Sequence, residues 1–380
     1  MRIPFTYGKE VSDDDFTGRS LELKRLAENF ISLKNTVLIS PDGWGKTSLI
    51  KRAITFNQKI EQDSLFCFID LKEVHEKEDF YQYQAGVILS TVFADHQSLS
   101  ENAGKYLSRL YPKVKHIEKY HKNFSITLDR EEVENYQEDV IDMTEKLAVT
   151  RGIKIIVCYK DFQKIMDFAD PELFLKKFRK AADHHKHVCY CILSSGHSQI
   201  FLNEELPMFG FGDIIVLDKI SSHDWIPFIT ARFANTGKSI DGSSAELILK
   251  LAGNQPQSVQ ILGQQAWLRT PYICNEKIII EAHDCLIRSN KQNYHSIVCG
   301  LSKTQIYFLR AVLLGERHFN SQKVLINYKL GTSGNISKIK KGLTDKKIIG
   351  INRNEIEFLD PFFRTWLERY YFELIPKAYL

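Results

Sequence analysis

Apolar residues in the first two thirds of the chain gather into five short, nearly unbroken runs: Thr36 to Ser40, Leu65 to Leu71, Lys154 to Tyr159, Val188 to Ser194 and Asp213 to Leu217. A run that is apolar at every position, rather than at alternate ones, marks a strand buried on both faces. Helical patterns separate the runs, which predicts an α/β fold with a parallel sheet and crossover helices. The interval from Lys72 to Ile153 is long. It holds FYQYQAGVILSTVF, which predicts a helix, then a polar region rich in lysine and histidine, then a second helix leading to Arg151-Gly152.

After Ile220 the pattern changes. Ser221-Ser222-His223-Asp224 is a suitable N-cap for WIPFITARFANTGKSI, and Ser243 to Ala252, Gln257 to Thr270 and Glu276 to Asn290 predict further helices. From Leu301 onwards SKTQIYFLRAVLLG, SQKVLINYKLG and SGNISKIKKGLTDKKII predict three helices, and GINRNEIEFLD a hairpin-like ribbon. Three helices and a ribbon make the winged-helix arrangement, a variant of helix-turn-helix. The expected domains are therefore an α/β domain at 1–220, a helical lid at 221–296 and a winged helix at 297–380.

Composition adds bounds rather than identity. The chain has 380 residues, 43% hydrophobic and 26% charged, which is ordinary for a globular protein of two or three domains. No apolar run approaches the length needed to span a bilayer, and MRIPFTYGKEVSDDDF lacks the apolar stretch of a secretory signal, so a cytoplasmic location without membrane contact is expected. Seven cysteines are an odd number, and Cys67, Cys158, Cys189 and Cys191 lie in apolar runs, where free cysteine acts as a small buried hydrophobe. Charge is uneven: Leu301 to Leu380 carries 14 Lys and Arg against 7 Asp and Glu, a net +7 in a chain of net +4, which leaves −3 for the rest. The basic C-terminal part is thus a candidate for nucleic-acid contact, or its lysines simply solvate helix faces.

The chemistry is concentrated in LISPDGWGKTSLIKR, Leu38 to Arg52, where a strand pattern ends in Gly45-Lys46-Thr47-Ser48 and a helix pattern follows. This is the layout of a phosphate-binding P-loop. Glycines let backbone N–H groups face an anion, the lysine reaches the outer phosphates, and the hydroxyl holds Mg²⁺. The usual G-x-x-x-x-G-K-[ST] begins with glycine; here Ser40 stands in that place. The expected phosphate cradle is Ser40, Pro41, Asp42, Gly43, Trp44, Gly45, Lys46, Thr47 and Ser48.

Several motifs in order, PFTYGKEVSDDDF, Phe16-Thr17-Gly18-Arg19 with Glu22, ISPDGWGKTSL, Phe162-Gln163, FGDIIVLDKI, TGKSI, LGTSGNISKIKKGL and FLDPFFRTWL, cover nearly the whole chain. The chain resembles the bacterial and archaeal P-loop ATPases of the AAA+/STAND class, in particular a Bacteroidetes-type branch with a C-terminal winged helix. The resemblance implies ATP or ADP with Mg²⁺, held between the P-loop sheet and the helical lid, with the winged helix packed on or near that pair. It places Gly18 and Arg19 beside the adenine, although Ser20 replaces the glutamate that often follows. Pro256, in Ala252-Gly253-Asn254-Gln255-Pro256, matches the lid proline that packs on the nucleotide.

The departures from the family are specific. Where the third strand of the family ends in Asp-Glu-Phe-Gln, this chain reads IIVCYKDFQ, so that Lys160 replaces one acid and Asp161 the other. A shift of one residue lets Asp161 serve with Thr47 as a Mg²⁺ ligand but leaves no acid beside it to polarise water. Asp42-Gly43 replaces two P-loop arginines, Ser194-Ser195-Gly196 replaces a Gly-Ser-Lys-like sequence and leaves Ser195 as sensor hydroxyl, and Gly210 replaces a cation. Asp161 and Ser195 are thus the catalytic candidates in a chain expected to bind nucleotide as a conformational switch and to hydrolyse it weakly or not at all. Two alternatives remain. One is an active ATPase that draws acids or cations from elsewhere, such as Asp70 or a neighbouring subunit. The other is a winged-helix DNA-binding regulator with a vestigial P-loop. In the winged helix, Ser337, Lys338, Lys340, Lys341 and Lys346, with Arg353 in the wing, are candidates to face phosphates, and Ile336, Ile339 and Leu343 to form the buried side. A protein partner is expected without its identity.

Overall fold

The computed structural model of the chain describes residues 3–9, 11, 15–60, 63–93, 114–120, 123–128, 133–195, 199–352 and 355–374. They fall into two compact units. One comprises Arg19–Ser40 and Lys46–Asp218, the other Met1–Gly18, Pro41–Gly45 and Lys219–Leu380.

The first unit runs α1 (Ser20–Ile31), β1 (Thr36–Ile39), α2 (Lys46–Gln58), β2 (Ser64–Asp70), α3 (Lys77–Val92), β3 (Val114–Tyr120), β4 (Asn123–Leu128), α4 (Val133–Arg151), β5 (Lys154–Lys160), α5 (Pro171–His184), β6 (Val188–Ser194), α6 (Gln199–Leu202) and β7 (Asp213–Val216). Five strands pair in the order β2-β5-β6-β1-β7, each pair parallel. They are the five apolar runs of the sequence, with ends displaced by at most one residue. Every residue of β6 is buried, as an apolar run without alternation requires. On one face Val37, Val157, Tyr159, Tyr190 and Ile192 pack with Phe80, Phe174 and Phe178 from α3 and α5. On the other face Phe66 of β2 meets Phe30 of α1, ring centroids 5.6 Å apart. β6 and β7 lie on either side of β1 although they are consecutive strands of the sheet. Such a reversal beside a central strand opens a crevice at the carboxyl edge, where α/β proteins bind ligands.

The hairpin of β3 and β4 is antiparallel and falls in what the sequence suggested was only a polar region. Its signal is the alternation of Phe124, Ile126 and Leu128 with Ser125 and Thr127 in β4.

The second unit holds α7 (Ser222–Ala234), β8 (Ser239–Ile240), α8 (Gly242–Leu251), α9 (Pro256–Arg269), β9 (Ile273–Cys274), α10 (Glu276–Ser289), α11 (Lys291–Cys299), α12 (Lys303–Leu313), α13 (Gln322–Asn327), α14 (Ser333–Asp345), β10 (Ile349–Asn352), β11 (Glu355–Phe358), α15 (Pro361–Trp366) and a π-helical turn, Leu367–Tyr371. Side-chain caps define several starts: Ser221 accepts from Asp224 N, Asn275 from Ile278 N, and Ser302 forms a capping box with Gln305. α12, α13, α14 and the antiparallel ribbon β10-β11 are the winged helix, with Ile336, Ile339 and Leu343 buried. One continuous core joins Trp225, Leu262 and Ile279 to Phe308, Leu343 and Trp366, so helices α7 to α10 and the winged helix do not have separate interiors.

Cys67, Cys158, Cys189 and Cys191 are buried and free, as their apolar surroundings suggested, and burial pushes the Cys67 thiol up to about 12. Among the described residues no helix is long and apolar enough to cross a membrane.

Candidate phosphate-binding site

The loop after β1 has the backbone that its glycines allow. Gly43 and Gly45 have φ of +76° and +89°, a region that residues with a Cβ rarely enter. Space around a Cβ at Gly45 is open, whereas a Cβ at Gly43 would come within 2.5 Å of Gln257 Oε1. α2 then starts at Lys46 and runs 13 residues without an acid in its first turn, so no carboxylate side chain of that turn faces the partial positive charge of the helix start. Lys46 is buried, and its ammonium turns back to donate to the carbonyl of Ser40 at 2.6 Å and to Ser40 Oγ at 3.4 Å. Ser40, the departure from the usual first glycine, therefore holds the lysine at the loop mouth. Its own N–H donates to Ser194 O at 3.2 Å, which extends the β1-β6 ladder. Thr47 and Ser48 are half-buried on the first turn of α2, and Trp44 is buried.

Pro41–Gly45, the middle of the loop, belongs with the second unit. There the N–H of Gln257, in the first turn of α9, donates to Gly43 O at 3.3 Å. Lys347, just after α14, donates to Asp42 Oδ2 at 2.5 Å. Pro256 opens α9, where a missing N–H costs nothing, and its neighbour Gln255 donates from Nε2 to Phe358 O in the wing at 2.8 Å. The acid Asp42 in the loop is thus faced by a cation from the winged helix.

Strand register gathers the other candidates at the carboxyl edge of the first unit. Ile39 lies opposite Ser194, Tyr159 opposite Ile192, and Asp70 opposite Lys160. Lys160 Nζ donates to Asp70 Oδ2 at 2.7 Å and lies 4.0 Å from Asp161 Oδ2. Asp70 Oδ1 also accepts from Lys72 N. Asp161 sits in the left-handed region, φ 57° and ψ 39°, where its Oδ1 accepts from Gln163 Nε2 at 3.1 Å. Gln163 Oε1 accepts from Ser195 N at 3.4 Å. Gln163, used in the sequence only to set register, is therefore the residue that ties Asp161 to Ser195. Its own place after Asp161-Phe162 was the available signal. Gly196 and Arg353 lie outside the described residues.

Arg19 caps α1 in a left-handed conformation with its guanidinium buried and paired to Glu22 at 3.2 Å. Burial lowers its pKa, and Glu22 and Asp218 oppose the change. In the other unit, Gly18 has φ +66°, and a Cβ there would meet Ile220 at 2.7 Å. Gly210 is approached by the cation Arg179 of α5. That guanidinium donates to Phe209 O at 3.0 Å and Gly210 O at 3.4 Å and pairs with Asp183 at 2.6 Å. In the winged helix Ser337, Lys338, Lys341 and Lys346 are exposed, but Lys340 is half-buried with its ammonium 5.6 Å from the Phe319 ring centre. Among the described residues no group of three or more His, Cys, Asp or Glu side chains could hold a metal ion.

A family model described as "probable winged helix domain" matches residues 292–369. A comparison with curated protein sequences gives no match. Solved structures do. The Walker-type ATPase PABY2304 of Pyrococcus abyssi is 16% identical with a TM-score of 0.65, over 96% of this chain and 99% of that one. The ORC2 protein of Aeropyrum pernix, solved as ADPNP–ADP complexes, is 12% identical with a TM-score of 0.55, over 95% of this chain and 93% of that one. The ORC1 protein of Aeropyrum pernix, solved in complex with DNA, is 12% identical with a TM-score of 0.50, over 94% of each chain. At such identities the likeness is one of fold. The chain shares the α/β fold of these structures, a Walker-type ATPase among them, followed by helices and a C-terminal winged-helix domain.

Proposed function

We propose that this chain is an adenine-nucleotide-binding switch of the AAA+/STAND type, in which 221–296 serves as the lid and 297–380 as the winged helix, and in which hydrolysis is weak or absent. The observation that carries the reading is the loop from Ser40 to Lys46. Two left-handed glycines, a buried lysine anchored on Ser40 and a helix start without an acidic first turn are the features of a cradle for phosphates. Weak hydrolysis is supported by the other half of the site. Lys160 stands where the family has an acid, Asp161 is turned to Gln163, and Asp70, the acid that could have substituted, is paired with Lys160. ATP or ADP then acts through which of two conformations it favours. The test is thermal unfolding with ATP or ADP, because a ligand bound only to the folded state must raise stability, by about 2.7 kcal/mol at a hundredfold excess over Kd. Wild type should shift upwards by some degrees and Lys46→Ala should not. No shift in wild type at millimolar nucleotide would remove the reading.

DNA contact is a second reading, favoured by the exposed Ser337, Lys338, Lys341 and Lys346 on and just after α14. Winged helices place such a helix in the major groove, where lysines meet phosphates.

A further inference from the structure

The site implied by the fold would hold Mg²⁺ between the P-loop hydroxyl and an acid on a neighbouring strand, with the phosphates completing its shell. The donor set here does not fit that ion. Among the described residues three carboxylates stand at or just past the carboxyl ends of strands: Asp70 ends β2, Asp161 follows β5 and Asp218 lies two residues after β7. Asp70 and Asp161 both lie within 4.0 Å of the Lys160 ammonium, and Asp70 is hydrogen-bonded to it. Asp218 acts on the buried Arg19. A divalent cation using Asp70 or Asp161 would sit beside a fixed positive charge and compete with it for the same oxygens. Of the two ligands that the fold implies, the hydroxyl of Thr47 would then remain.

We propose that the ammonium of Lys160 takes the place of the divalent cation, so that this chain binds nucleotide phosphates without Mg²⁺. Side chains alternate along parallel strands, and Val37, Ile155, Val157 and Tyr159 share the buried face that packs on α3 and α5. Ser40 and Lys160 therefore belong to the opposite face, at the same edge of the sheet. The Lys160 side chain is 44% exposed and its partner Asp70 42%, so the pair stands partly in solvent. Exchange of a solvated carboxylate for a phosphate costs the ammonium little, since exposed ion pairs are weak. Lys46 and Lys160 then supply the two positive charges that Lys46 and a metal supply in the family pattern.

This inference rests on the nucleotide-binding reading above, and one experiment separates the two. Binding of ADP and of a non-hydrolysable ATP analogue is measured by calorimetry with Mg²⁺ and with excess EDTA, for wild type, Lys160→Met and Lys160→Asp, each checked for folding by thermal unfolding. Wild type should show less than about a threefold difference between the two conditions, a fraction of 1.4 kcal/mol. Lys160→Met should bind at least tenfold more weakly in EDTA, and Lys160→Asp should gain a dependence on Mg²⁺ of tenfold or more. A wild type that loses tenfold or more of its affinity in EDTA, or a Lys160→Met variant that binds as wild type does in EDTA, overturns the inference and leaves the nucleotide reading intact. No binding by wild type in either condition overturns both.

Discussion

Acidification should loosen the second unit through one histidine. His283 on α10 is 1% exposed, with its ring 5.6 Å from that of Phe362 on α15. Burial lowers its pKa from 6.5 to about 4; Arg369 adds to the effect, and Asp284, paired with Arg369 at 2.8 Å, opposes it. The folded state thus keeps His283 neutral over a range in which the unfolded chain binds a proton. With more protons on the unfolded side, stability rises with pH between about 4 and 6.5 and is lost as pH falls through that window. A gap of this size corresponds to roughly 3 kcal/mol, a large part of the usual stability of a domain. Of the four tryptophans, Trp225, Trp267 and Trp366 lie in the main stretch of this unit and Trp44 in the loop after β1, so fluorescence follows chiefly the unfolding of this unit. Urea titrations of wild type and His283→Gln from pH 7.5 to 4 should show the wild type losing roughly 3 kcal/mol more than the variant across the window. Parallel pH profiles for the two proteins would refute the placement of a neutral histidine in the joint between α10 and α15.

Two further outcomes are expected. Gly43→Ala and Gly45→Ala should each lose about 1–2 kcal/mol of stability in urea titrations, because a Cβ is forced into left-handed backbone. Gly43→Ala should lose the more, since Gln257 must also move; equal losses would place Gln257 away from the loop. If the winged helix contacts DNA, binding should fall steeply as salt rises, and Lys338→Ala with Lys341→Ala should reduce the salt slope by about 2. Absence of binding at low salt would reject the DNA reading.

The five parallel strands were the easiest part of the fold to read, because β1, β5 and β6 are buried on both faces and the edge strands β2 and β7 are also nearly continuous apolar runs. The β3-β4 hairpin was harder. β4 alternates, but in β3 the apolar Val114, Ile117 and Tyr120 stand three apart among Lys, His and Glu, which looks the same as a polar loop when no partner strand is known. The helix α11 was missed for a related reason: it follows Asn290 directly, and nothing in the preceding pattern separates it from the end of α10. At the site, residue identities were legible and pairings were not. Lys160 could be recognised as a departure, but its bond to Asp70 spans 90 residues and depends on the register of β2 with β5. The partners of Asp42 and Gly43, Lys347 and Gln257, lie farther still along the chain. Likewise Lys340 counted among the exposed lysines until Phe319 was found beneath its ammonium.

The central claim is that the chain grips the phosphates and does not cut them. Its most direct test is to mix excess protein with γ-labelled ATP in a single turnover, separate bound from free label, and follow phosphate release from the bound fraction. The expected result is intact ATP retained by wild type, lost with Lys46→Ala, and no release of phosphate on the timescale of seconds at which P-loop enzymes of ordinary rate turn over. Rapid release of phosphate from bound ATP would contradict the account, as would retention that is indifferent to Lys46.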